Sequence, residues 1–290
     1  MFKVFSIRLL GPCLVPRTLA TMLAHTKRNI SLVSHPNMEV TIIPVLEDNY
    51  SYILADTKTQ MAALVDPVEP EKVINYFNQK YPGFSLTSVL TTHHHWDHSS
   101  GNEEMHRLYP SIQIYGGDER IPKMSNKVKD SESFKLGSLN IRCISTPGHT
   151  TGHVCYFVEG CENATPVVFT GDTLFAGGCG RFFEGTPQEM YDSLCLKLSK
   201  LPPSTQVYCG HEYTKSNLKF AVKVDPTNLK LQKRLEWAMD IPCTIPSTIQ
   251  QELETNPFLR VDDPGFQTAH SYSSDPVGFM GFLRESKNRS

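Results

Sequence analysis

Short runs of apolar and β-branched residues, closed by glycine, proline or polar clusters, recur through the first two thirds of the chain. Residues 40–45, 51–54, 62–65, 88–92, 112–115, 139–145, 153–158, 167–170 and 205–209 read as strands. Helical spacing appears over 71–81 and 102–109, and again from Thr186. There Thr186, Pro187 and Glu189 form a capping box with proline at the first helical position. Met190, Leu194 and Leu198 then recur at i, i+4 and i+8, one buried face. Past His211 the pattern turns helical over 214–224, 229–239 and 248–254. The chain therefore divides into a sheet-rich domain over 38–211 and a small helical domain over 212–290, an α+β protein without internal repeats.

The first 37 residues follow a different rule. No acidic residue precedes Glu39, while Lys3, Arg8, Arg17, Lys27 and Arg28 are basic and serine, threonine and leucine fill much of the rest. That composition predicts a mitochondrial transit segment over 1–37, and a matrix location. Arg8, Pro12 and Pro16 cut the apolar stretch too short for a secretory signal. Met38 opens the globular pattern, so initiation there would give a cytosolic form.

Composition narrows the partners. With 290 residues, 39% hydrophobic and 20% charged, the chain has ordinary globular usage and can bury a sizeable core. A formal charge of -2, from 28 basic and 30 acidic side chains, gives no reason to expect nucleic acid or an anionic membrane. No apolar stretch approaches the roughly 20 residues of a membrane span. The eight cysteines form no Cys-x-x-Cys pair and read as reduced, mostly buried thiols. The partner is expected to be a small molecule and the chain a monomer.

The densest chemistry lies in Thr-Thr-His-His-His-Trp-Asp-His, residues 91–98, where His93, His95, Asp97 and His98 put four candidate ligands into six positions. Imidazole and carboxylate suit divalent zinc and iron, and four ligands exceed what one open catalytic site needs. Two ions are therefore expected. His149, Asp172 and His211 follow the same grammar, each running from a strand through a glycine into a ligand. Glycine lets the chain turn sharply and bring the side chain to the mouth of the sheet. Any one of these could be a loop residue, but four convergent strand ends describe a binuclear site.

These stretches, with Gly-Asp-Thr-Leu-Phe, Gly-Cys-Gly-Arg-Phe-Phe-Glu-Gly-Thr and Cys-Gly-His-Glu-Tyr, resemble the metallo-β-lactamase superfamily in the form carried by glyoxalase II, the hydroxyacylglutathione hydrolases. The resemblance runs from about Met38 to the carboxyl terminus. It implies an αββα sandwich with the site on its edge, followed by a small helical substrate-binding domain. It further implies that His93, His95 and His149 hold the first metal, Asp97, His98 and His211 the second, and Asp172 bridges both. Zinc is expected first, with iron or manganese as the other candidates. His94 and Trp96 drop out as ligands and are expected to pack or support the loop. Asp66 resembles the aspartate that orients the ligands.

The implied reaction is hydrolysis of S-(2-hydroxyacyl)glutathione, typically S-D-lactoylglutathione, to glutathione and a 2-hydroxy acid, the second step of methylglyoxal detoxification. The nucleophile would be a hydroxide held by the metals with Asp97 and Asp172. Arg181, Phe183, His211, Tyr213, Arg284 and Lys287 match the family's substrate contacts, with arginine at 181 and phenylalanine at 183 where some members carry lysine and tyrosine. The tail bearing Arg284 and Lys287 starts like a capped helix, yet Gly278 and Gly281 each oppose a helix by roughly 1 kcal/mol. Two other readings share part of the pattern. One is a mononuclear iron persulfide dioxygenase on the same scaffold; the other is a non-catalytic metal-binding homologue with a weakened glutathione site.

Overall fold

Alternation along the strands decides which side chains meet. Val40, Ile42, Tyr52, Leu54, Ala63 and Val65 face one core, while Ile43, Ile53, Ala55, Ala62 and Leu64, one position out of step, face another. Side chains of a strand point to opposite faces at every step, so a sheet apolar on both faces must be covered on both. The computed structural model describes residues 28–159 and 164–290. In its first sheet, β1 (Ser31–His35), β2 (Met38–Val45), β3 (Asn49–Asp56), β4 (Met61–Val65), β5 (Ser85–Leu90), β6 (Gln113–Gly116) and β7 (Asn126–Lys127) lie in chain order. The outer face of this sheet is covered by α1 (Pro70–Lys80) and by α3 (Asn102–Leu108), which follows the single turn α2 (Trp96–Ser99).

The second sheet receives β8 (Ser133–Leu136), β9 (Leu139–Ser145), β10 (Val154–Glu159) and β11 (Val167–Gly171), then a small hairpin of β12 (Leu174–Phe175) and β13 (Gly178–Cys179) leads away from it. After α4 (Pro187–Tyr191), capped by Thr186 and Glu189 as the spacing predicts, β14 (Gln206–Cys209) returns parallel to β11. The remaining chain forms α5 (Thr214–Val224), α6 (Leu229–Met239), β15 (Ser247–Thr248), α7 (Ile249–Thr255), α8 (Pro264–Ala269) and α9 (Pro276–Asn288). Between the two sheets Tyr52 meets Phe169 and Tyr208, with ring centroids 5.3 and 5.5 Å apart. On the far face of the second sheet, Phe157, Val168 and Val207 pack with Met190, Phe258, Phe279 and Leu283. The layering is helix, sheet, sheet, helix, the αββα sandwich that the motifs imply.

Three expectations are corrected. The sheet begins before Met38: β1 pairs with β2 from Ser31↔Ile42 to His35↔Met38, so a boundary at residue 37 falls inside a hairpin. The helical segment after His211 also returns a strand, β15, to the edge of the second sheet. In α9 the two glycines do not break the helix, and each lies where a side chain would crowd a neighbour. A Cβ at Gly278 would stand 2.0 Å from the capping carboxylate of Asp275, and one at Gly281 would press on Pro187 of α4 at 3.1 Å. The expected transit segment lies outside the described residues up to residue 27. No helix among the described residues is long and apolar enough to cross a membrane. The six described cysteines are free, and all but Cys243 are buried.

Candidate active site

Four strand ends from the two sheets converge at one edge of the sandwich. β5 ends before Thr91, and His93 follows; α2 then turns Asp97 and His98 inward. β9 runs out through Thr146 and Pro147 to His149, β11 ends at Gly171 before Asp172, and β14 leads through Gly210 to His211. Gly171 has φ +44°, and a Cβ there would collide with Thr92 and His153 at 2.6 and 2.7 Å. At Gly210 the obstacle is the site itself, since a Cβ would lie 2.2 Å from Asp172 Oδ1.

The seven expected ligands fall into two clusters that share Asp172. His95 Nδ1 stands 3.1 Å from His93 Nε2 and 3.0 Å from His149 Nε2. His98 Nε2 lies 3.3 Å from His211 Nε2 and 3.6 Å from Asp97 Oδ2. Asp172 reaches both sides, with Oδ1 3.4 Å from His98 and Oδ2 3.5 Å from His149 and 3.3 Å from His211. Imidazoles that give their outer N–H to a carbonyl or carboxylate turn the other nitrogen inward as a lone pair, and a cation between such nitrogens removes their repulsion. Ligands on one tetrahedral zinc stand roughly 3.4 Å apart for bonds of about 2.1 Å. Asp172 Oδ1, buried and without a hydrogen-bond partner, completes a donor set that fits two divalent ions.

Electrostatics separate the two clusters. Burial pushes His93, His95 and His149 down, His95 to about 4, so these rings are neutral and ready to bind a cation. Burial is the largest influence on His98 and His211 as well and opposes their charge, but Asp172 together with Asp66 for His98 and with Asp48 for His211 outweighs it and raises both, His211 to about 10. Asp172 itself resists burial through its contacts with His211 and His98 and stays ionised.

The outer nitrogens of the ligands are held in turn. Asp66, at φ +47°, accepts from the Thr92 backbone N–H and hydroxyl at 2.8 and 2.7 Å and pairs with His98 Nδ1 at 2.9 Å. This is the orienting role the resemblance gave it. The backbone carbonyl of Arg181 fixes His149 Nδ1 at 2.9 Å, and Asp48 Oδ1 fixes His211 Nδ1 at 2.7 Å. Asn49 donates to Asp97 Oδ2 at 3.0 Å, and the Asp172 backbone N–H donates to buried His153 at 3.1 Å. Asp48, Asn49 and His153 were not singled out in the sequence; an Asp-Asn pair in a turn is a common turn former and carries no distinct signal. His94 lies outside both clusters, near Asp118 and Glu184 at 3.5 and 3.6 Å. Trp96, expected to pack or support the loop, is 68% exposed.

A cavity of about 420 Å³ opens from His149 and Asp172 and is lined by Arg181, Phe183, Tyr213, Arg284 and Lys287. Tyr213 stacks on His211 at 4.6 Å, and Phe183 sets its edge against His95 and His149 at 5.7 and 5.3 Å. Arg284 is buried, donates to the Cys179 carbonyl at 2.7 Å and leaves its Nε without a partner. Lys287 donates to Asn217. Five of the six expected substrate contacts line this cavity; His211 does not, and stands behind it, stacked on Tyr213.

Residues 46–211 match the family model of the metallo-beta-lactamase superfamily, and residues 212–290 that of the hydroxyacylglutathione hydrolase C-terminus. A "Hydroxyacylglutathione hydrolase cytoplasmic" of Arabidopsis thaliana is 49% identical over 259 residues, 87% of this chain and 99% of the relative. The chain belongs to the hydroxyacylglutathione hydrolase family. Within that family it is also similar to a "Hydroxyacylglutathione hydrolase-like protein" of Gallus gallus, 45% identical over 87% of this chain and 90% of the relative. Among solved structures, ETHE1 from Myxococcus xanthus shares the fold with a TM-score of 0.61 and 22% identity, over 88% of this chain and 91% of that one. Family membership makes the chain a metal-dependent hydrolase of α+β architecture.

Proposed function

We propose that this member of the hydroxyacylglutathione hydrolase family cleaves the thioester of S-(2-hydroxyacyl)glutathione, with S-D-lactoylglutathione as its typical substrate, releasing glutathione and a 2-hydroxy acid. One observation carries the reading: His149 of the first cluster and the shared Asp172 line a cavity that also carries Arg181, Arg284 and Lys287. Glutathione bears two carboxylates, and guanidinium groups grip carboxylates through paired hydrogen bonds. The unpartnered Nε of buried Arg284 is a donor awaiting such an acceptor.

His93, His95 and His149 would hold one metal, Asp97, His98 and His211 the other, with Asp172 shared; zinc suits the donors first, and iron or manganese also fit. When bound, the metals supply an activated water at neutral pH and electrostatic stabilisation of the oxyanion. The protein does the rest. Asp66, Asp48 and the Arg181 carbonyl keep the inner imidazole nitrogens aimed at the centre. Arg181, Arg284 and Lys287 anchor the peptide end, so that the thioester reaches the clusters. Phe183 and Tyr213 wall the reacting end with aromatic surface. The departing sulfur needs little help, because a thiol with a pKa of about 8.5 leaves as thiolate more readily than an alkoxide or amide.

The complete second cluster supports this reading over a mononuclear iron oxidoreductase, which would not need Asp97, His98 and His211 together. Because every group of the site comes from one chain, a monomer suffices. The acid-free amino terminus supports a matrix location, with a cytosolic form begun at Met38; amino-terminal sequencing of the two pools tests this, and a single form retaining Met1 would contradict it. The substrate is tested by comparing S-lactoylglutathione with the same acyl thioester of a small neutral thiol. The glutathione ester should be favoured at least a hundredfold in kcat/KM; equal rates would refute recognition by the basic wall.

A further inference from the structure

The segment that precedes Met38 reaches the active site. Arg28, from a stretch with the composition of a leader, sends its guanidinium to the turn between β2 and β3, donating to the carbonyls of Asn49 at 2.8 Å, Glu47 at 2.7 Å and Val45 at 3.4 Å. Its Cζ also lies over the Tyr50 ring, 4.9 Å from the centroid. Besides Arg28, the Leu46 N–H ties the turn to Glu69 Oε2 at 3.2 Å, yet Leu46 sits at φ +46° and is 39% exposed. A non-glycine residue in this region costs energy and persists only where surroundings impose it.

The same turn grips one metal cluster and not the other. Asp48 Oδ1 meets His211 Nδ1, and Asn49 Nδ2 meets both Asp97 Oδ2 and, at 3.4 Å, His211 Nε2. Its backbone is stitched to the same place, with Tyr50 N–H donating to the Gly210 carbonyl and Glu212 N–H to the Asp48 carbonyl at 2.8 and 2.9 Å. Among the described residues, none of the turn's hydrogen bonds goes to His93, His95 or His149.

We propose that Arg28 is a positioning residue for the second metal cluster: it locks the 45–49 turn so that Asp48 and Asn49 hold His211 and Asp97 in their ligating orientation. The inference rests on the binuclear reading above. A fork of planar N–H donors spans several carbonyls at once and stacks on an aromatic ring, which a lysine ammonium does not reproduce. Partners behind metal ligands typically contribute 10- to 100-fold in metal affinity. A chain begun at Met38 lacks both Arg28 and β1, and would hold the second ion less tightly than a chain that keeps them.

The test is zinc uptake by the metal-free full chain, followed by competition with a chromophoric chelator that resolves two equivalents. In Arg28→Gln the second equivalent should weaken by about 10- to 100-fold while the first stays within about twofold. Arg28→Lys should fall between it and the wild type. Asp48→Asn should reproduce the asymmetry, and the double variant should lose less than the two single losses combined, because both act through one turn. A second equivalent at wild-type affinity in Arg28→Gln, or equal weakening of both equivalents, would overturn the proposal. If the wild type itself takes up fewer than two ions, the binuclear reading fails first, and that outcome is visible before any variant is made.

Discussion

Asp172 is the residue on which both clusters depend, since its two oxygens face His98 on one side and His149 and His211 on the other. Asp172→Asn keeps the shape but removes the charge. Loss of several kcal/mol of charge stabilisation corresponds to about a thousandfold in kcat, with a lower metal content in the same preparation; near-normal turnover would contradict a shared ligand. Lys287 makes a different prediction. Burial, with Arg284 beside it, pushes its ammonium down to about 7. The amine is therefore charged below about pH 7 and neutral above, whereas a bound carboxylate would restore its charge. Substrate binding should take up a proton between about pH 7 and the ordinary lysine value near 10.4. KM should accordingly rise with pH through that window, and Lys287→Arg should flatten the profile. The ligands were legible in the sequence because chemistry demands dense, particular residue types. The residues behind them were not: Asp48 and Asn49 look like any turn, and His153 like any histidine at the start of a strand.

At the level of elements, the long periodic segments were readable and the short ones were not. Helices over 214–224 and 229–239 form at the positions their spacing predicts, whereas β7, β12, β13 and β15 are each two residues long and carry no period to detect. β1 escaped for another reason. Its composition continues that of the acid-free leader, and only its pairing with β2 makes it part of the sheet. In α9, intrinsic propensity was overruled by packing, because Gly281 allows the helix to lie against Pro187 and so delivers Arg284 and Lys287 to the cavity. Gly281→Ile should push α9 outward. Steady-state kinetics should then show KM raised several-fold with kcat changed much less; an unchanged KM would separate the helix from substrate binding.

Over the whole molecule, the site exists because two sheets close on each other. β5 belongs to the first sheet, and β9, β11 and β14 to the second, so no ligand cluster forms until the sandwich is assembled. The sequence could show four strands ending in ligands, but the distances between those ends belong to the packing of Tyr52, Phe169 and Tyr208 between the sheets. The cavity is likewise a joint product, with its basic wall supplied by α9 and its metal-facing wall by the strand ends. The central claim is that two metal ions held by the seven ligands drive thioester hydrolysis. Metal content and S-lactoylglutathione hydrolysis measured on one purified sample test it most directly. The account predicts two divalent ions per chain, with activity lost on chelation and restored by zinc, and it is contradicted by less than one ion per chain or by hydrolysis that survives complete removal of metal.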